Sequence, residues 1–87
     1  RYKTPVGEID LVLRRRCFLV FVEVKWRDDV RAAAEAVHSQ NRQRVRQAAA
    51  LYLQRHPAYN HLDVRFDAML LSPGVWPKHI VNAWGET

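Results

Sequence analysis

GEIDLVLRRRCFLVFVEVKWR, Gly7 to Arg27, is the stretch that decides how this chain folds and where its chemistry lies. It holds two β-prone segments, Glu8 to Leu13 and Phe18 to Trp26, joined by Arg14 to Cys17, a basic connector of hairpin length. Phe18 to Val22 is a continuous apolar run of the kind that becomes a buried strand. Glu23 and Lys25 continue that strand, and ionised groups there lose hydration unless they are paired or metal-bound. Perturbed groups of this sort cluster at functional sites. A four-residue connector sets Leu13 opposite Phe18, so even positions of the first strand share a face with odd positions of the second. Glu8, Asp10, Phe21, Glu23 and Lys25 then lie together. Directly opposed Cβ atoms are about 5 Å apart and diagonal ones about 7 to 8 Å, close enough for Asp10 and Glu23 to close on one ion. A connector one residue longer or shorter would put them on opposite faces.

Outward from this hairpin, Asp28 and Asp29 form a polar break, and alanine-rich Val30 to Val37 predicts a short helix. Ser39 is the expected N-cap of a longer helix that reaches Arg55 and stops at His56 and Pro57. On a helical wheel Asn41, Val45, Ala48, Ala49 and Tyr52 share the inward face. Arg42 and Arg46 fall on one flank and Arg44 and Arg55 on the other, a diffuse phosphate-facing signal. Asp63 to Leu71 predicts a third strand, with Val64, Phe66, Ala68 and Leu70 alternating against Arg65, Asp67, Met69 and Leu71. Ser72, Pro73 and Gly74 make a turn, and Lys78 to Ala83 adds a short edge strand. The result is a single α/β domain over residues 1–87: a small mixed sheet with a long helix packed on it.

Eighty-seven residues are one domain at most, and a domain of this size hides only about 60% of its unfolded-chain surface. Fourteen Lys and Arg against nine Asp and Glu give a formal charge of +5, which favours a polyanionic partner. Cys17 is the only cysteine, which excludes an internal disulfide and makes a reducing cytoplasmic setting the expectation. The six-residue apolar run ending at Glu23 is too short to span a membrane. His38, His56, His61 and His79 lack zinc-ligand spacing. Arg65 and Asp67 read as a structural pair. Trp26 follows the charged strand end and could stack on a base, while Trp76 and Trp84 read as anchors of the C-terminal turn and tail. The plainest rival for Glu23 and Lys25 is a same-face ion pair at a sheet end.

GEIDLV at Gly7 to Val12, FVEVKWR at Phe21 to Arg27, AAALYLQRHP at Ala48 to Pro57 and RFDAMLL at Arg65 to Leu71 occur in order over most of the chain, and together resemble the YraN family of bacterial proteins. That family is similar in core fold to the PD-(D/E)XK nucleases, which have a restriction-endonuclease-like core, and to archaeal Holliday-junction resolvases. The resemblance implies a metal-dependent endonuclease acting on nucleic-acid phosphodiesters, branched DNA among them. It assigns catalysis to Asp10, Glu23 and Lys25. Asp10, Glu23 and the Val24 carbonyl would hold Mg2+ or Mn2+, and Lys25 would position the attacking water. Arg27, Asn41, Arg42 and Arg46 are the expected nucleic-acid contacts, with DNA favoured over RNA and a homodimer as a further expected assembly. Family members usually begin with a helix that supplies another acidic residue, so the chain is expected to be N-terminally incomplete. They also commonly carry lysine where Asn41 stands. Both departures support the alternative of a catalytically inactive nucleic-acid-binding module of the same fold.

Overall fold

The computed structural model describes residues 1–39 and 42–84. Strands β1 (Tyr2–Thr4) and β2 (Gly7–Ile9) form a small antiparallel hairpin. Four further strands, β3 (Leu11–Arg15), β4 (Phe18–Trp26), β5 (Asp63–Leu71) and β6 (Lys78–Ile80), form a sheet in that order. Strands β4 and β5 run parallel while the outer pairs are antiparallel. A parallel pair needs a long crossover, supplied here by helices α1 (Val30–His38) and α2 (Arg42–Arg55) and a 3-10 turn at Pro57–Tyr59. The fold is thus a small mixed α/β arrangement, as the hydrophobic patterning predicts.

Both helices cover one face of the sheet. The register places Phe21 beside Phe66 and Glu23 beside Ala68 on that face. Phe21 and Leu19 pack with Ala48 and Ala49 of α2, and Ala68 and Leu70 pack with Ala33 and Val37 of α1 and Val45 of α2. Alanine at these contacts removes side-chain bulk and lets the helices approach the sheet closely. Tyr52 meets the Phe21 ring edge-on at 5.7 Å between centroids, an arrangement that suits the ring quadrupoles. Trp84 is buried and donates its indole N–H to the Val37 carbonyl at 3.1 Å. It anchors the C-terminal turn, whereas Trp76 is 91% exposed and anchors nothing.

The hairpin departs from expectation in two ways. Its turn contains two residues, Arg16 and Cys17, because Arg15 pairs with Phe18; Leu13 therefore opposes Val20, not Phe18. The shift is two positions, an even number, so the facing of every side chain is preserved. The first predicted strand is also interrupted: the chain bends at Asp10, pairing β2 with β1 and β3 with β4. The β1–β2 turn is held by Thr4, whose hydroxyl accepts the Gly7 N–H at 3.0 Å and donates to the Gly7 carbonyl at 2.8 Å. Asp29 caps α1 by accepting the Ala32 N–H at 2.8 Å. Ser39 ends α1 as its C-cap, its hydroxyl donating to the Ala36 carbonyl, so it serves the helix before the one it was expected to start. Asn41 lies outside the described residues.

Candidate functional site

Asp10 occupies the bend between β2 and β3, the point where the backbone leaves one sheet and joins the other. The bend aims its carboxylate across the end of β4, where Oδ2 accepts the Val24 N–H at 2.8 Å. Glu23, 7% exposed, hydrogen-bonds to Asp10. The rival reading, an ion pair between Glu23 and Lys25, gives way to an acid–acid contact. Arg1 stands over the pair, 3.4 Å from Glu8 and 3.5 Å from Asp10.

These groups line a cleft of about 470 Å3 bounded by Glu8, Lys25, Arg44 and Val45 as well as by the two acids, Val24, Arg1 and Gly7. Gly7 lies in its wall, against α2. A Cβ there would lie 3.0 Å from the Arg44 carbonyl oxygen, so glycine is what allows β2 to approach α2 this closely.

Two carboxylates in partial burial cannot both ionise freely, and they divide unequally. Burial is the chief cause that pushes Glu23 up to about 8, reinforced by its hydrogen bond to Asp10 and by the Asp10 charge. Burial also acts to raise Asp10, but the hydrogen bonds from Glu23 and the Val24 N–H, with the charges of Arg1 and Lys25, outweigh it and hold Asp10 below the usual carboxylate range. The contact thus favours a proton on Glu23 and the charge on Asp10.

Of the residues expected at the site, Asp10, Glu23, Val24 and Lys25 come together in the cleft. Arg27 is exposed and turns its guanidinium back to the Trp26 carbonyl at 2.7 Å. Arg42 and Arg46 are exposed on α2 away from the cleft lining, which is supplied instead by Arg44. The signal for Arg44 was its place on the helix: it immediately precedes inward-facing Val45, and its Nε donates to the Val6 carbonyl at 2.9 Å. Among the described residues no group of three or more His, Cys, Asp or Glu is disposed around a metal position. Among them, too, no helix is long and apolar enough to cross a membrane.

Asp67 lies on the opposite sheet face, since it pairs with Val22. It is fully buried and accepts two bonds from Arg65 at 2.9 Å, one from the Asn82 N–H at 2.9 Å and a contact from His79 Nε2 at 2.7 Å. The Arg65–Asp67 pair is structural, as expected, but His79 belongs to it as well. Burial works against the charge on Asp67, while the bonds from Arg65, Asn82 and His79 overcome that and lower its pKa.

The chain is 50% identical over 84 residues to a UPF0102 protein of Parvibaculum lavamentivorans, an overlap of 97% of this chain and 63% of that protein. A UPF0102 protein of Nitrobacter winogradskyi is 46% identical over 97% of this chain and 71% of its own length, and one of Bradyrhizobium diazoefficiens is 46% identical over 97% and 63%. The chain spans 63% of the length of the first of these relatives, less than two thirds. Residues 1–71 match the family described as "Uncharacterised protein family UPF0102", and with its GEIDLV, FVEVKWR and RFDAMLL motifs the chain belongs to that family, the YraN family.

Proposed function

We propose that this domain is the core of a metal-dependent nuclease, hydrolysing phosphodiester bonds of nucleic acid, with DNA as the favoured substrate. The observation that carries the reading is the Asp10–Glu23 pair, two carboxylates brought into contact in an open cleft beside Lys25. Nothing in folding requires so unfavourable a contact. A divalent cation held by Asp10 and Glu23 would relieve it. The hairpin followed by a helical crossover to a parallel strand is consistent with a restriction-endonuclease-like core.

The donor set suits Mg2+ or Mn2+, which take hard oxygen ligands and retain several waters. Asp10 and Glu23 would hold the ion, with the Val24 carbonyl as the expected third protein ligand. When bound, the ion supplies Lewis acidity toward a phosphoryl oxygen. The chain's own contribution is positional. The Val24 N–H fixes the Asp10 carboxylate. Lys25 brings a cation to where negative charge develops in phosphoryl transfer, an interaction stronger in the transition state than in the ground state. Arg44 adds a second cation to the same cleft.

The test is to incubate the full chain with Mg2+ or Mn2+ and duplex, single-stranded and branched DNA, beside matched RNA. Asp10→Asn and Lys25→Ala are each expected to lower cleavage at least a hundredfold. Cleavage that survives both substitutions would exclude this cleft. The second reading, a binding module without catalysis, is favoured because, among the described residues, Glu8 lines the cleft without completing a group of three acids disposed to hold one ion. It predicts salt-sensitive DNA binding that is indifferent to Mg2+ and to Glu23→Gln.

A further inference from the structure

The end of β3 and the turn after it present three consecutive arginines whose side chains take no part in holding the fold together. Arg14, Arg15 and Arg16 are all exposed, and none of their side chains makes a hydrogen bond or ion pair with any described residue. Asp63 is brought against the turn by its N–H, which donates to the Cys17 carbonyl at 2.8 Å, yet its carboxylate pairs with none of the three. Across the hairpin Arg14 opposes Leu19 and Arg15 opposes Phe18, so the turn is basic toward both sheet faces. Solubility would account for scattered cations. It does not account for three in succession, which repel one another.

The backbone gives an independent sign. Arg16 has φ of 55°, the left-handed region that two-residue hairpin turns fill with glycine or asparagine. A long side chain in that conformation costs on the order of 1 kcal/mol or more. Glycine would relieve the strain, but it would also remove the outermost charge.

We propose that this turn is a second nucleic-acid contact, gripping the phosphate backbone of duplex DNA whose other end lies in the Asp10–Glu23 cleft. The inference rests on the nuclease reading for the occupant of the cleft. Strand β4 fixes the spacing: at about 3.3 Å per residue, Glu23 lies roughly 20 Å from Cys17. That corresponds to about six base-pair steps along a duplex at roughly 3.4 Å each. A stiff polyanion with regular charge spacing can meet both ends of the strand at once. The cations at both ends match its sign.

The experiment measures binding of the full chain to a 20-base-pair duplex in EDTA, so that cleavage does not intervene, over a range of salt concentrations. The triple substitution Arg14→Gln, Arg15→Gln, Arg16→Gln is expected to flatten the log Kd against log salt slope by about 2 to 3, since each lost phosphate contact removes about 0.9. Arg16→Gly alone is expected to flatten it by about 1 while leaving thermal stability equal or higher. A control removing Lys3, Arg31 and Lys78 charges as glutamines should change the slope less. Because Cys17 is exposed and is the only cysteine, a photo-crosslinker attached there should form adducts with the duplex.

The proposal is overturned by an unchanged slope in the triple variant, by an equal loss in the control, or by duplex binding without Cys17 adducts. It is equally overturned if the full chain fails to bind duplex, or if vesicles containing phosphatidylglycerol bind as tightly through the same arginines. Cleavage by the unaltered chain in Mg2+ is measured separately. If cleavage is absent but binding depends on the turn, the nuclease reading fails and the contact stands; cleavage insensitive to the turn, with an unchanged slope, gives the converse.

Discussion

Glu23 is the residue through which pH should act on this protein. Its folded pKa stands near 8, above the ordinary value of 4.5, so the folded state retains a proton that the unfolded chain releases. Its stabilising contribution is therefore complete below about pH 4.5 and is lost as pH rises through 8. Asp67 works in the opposite sense. Its folded pKa is lowered from 3.8, so its contribution is present above that value and disappears as pH falls through the folded one. Metal-free protein is expected to melt at progressively lower temperature from pH 5 to pH 8, and Glu23→Gln should flatten that decline in a calorimetric series. On the proposed metal site, Mg2+ would displace the same proton, so its affinity should rise up to about tenfold per pH unit below 8, as titration calorimetry with proton-release buffers can read. Asp67→Asn should be severe: it leaves the Arg65 guanidinium without its carboxylate and should cost about 3 to 5 kcal/mol in urea unfolding. That is a large share of what an 87-residue domain commands.

At the scale of elements, the β3–β4 turn is where length becomes chemistry. One residue inserted between Arg16 and Cys17 should rotate Asp10 away from Glu23, whereas two inserted residues should leave them on one face. The proton shared by the acids is the readout: the single insertion should abolish the pH-dependent melting attributed to Glu23, and the double insertion should retain it. Gly7→Ala should destabilise by about 1 to 3 kcal/mol through overpacking against the α2 backbone, and should disturb the cleft wall without touching a charge. Strands β4 and β5 were legible to the residue, β4 as a run of β-branched and aromatic side chains and β5 through the alternation of Val64, Phe66, Ala68 and Leu70 with Arg65, Asp67, Met69 and Leu71. The bend at Asp10 was not, since polar and apolar residues alternate from Glu8 to Leu11 straight through it and carry no mark of a change of partner. The pairing of Tyr2–Thr4 with Gly7–Ile9 involves only three residues a side, too few for a periodicity. Arg44 was assigned to a flank because a wheel shows direction around a helix but not which neighbour fills that direction. His79 joins Asp67 only through the antiparallel β5–β6 register, which no local pattern announces.

For the molecule as a whole, the helices cover one sheet face, and among the described residues neither packs on the other, where Leu11 and Leu13 remain about half exposed. A domain so thinly covered is marginal, and ligand binding should register strongly in its global stability. Mg2+ at a hundred times its Kd should add about 2.7 kcal/mol, a rise in Tm that Asp10→Asn should remove while leaving the metal-free melting behaviour measurable. The +5 charge should make any DNA binding weaken with salt. The topology also sets an order of events in time. The Asp10–Val24 bond spans only 14 residues, whereas β4 and β5 can meet only after both helices have been laid between them. Hairpins form in about 1 to 10 microseconds, and long-range parallel pairing comes later. The two acids are thus brought together in the nascent chain before the sheet that will bury them exists, when water still screens their repulsion.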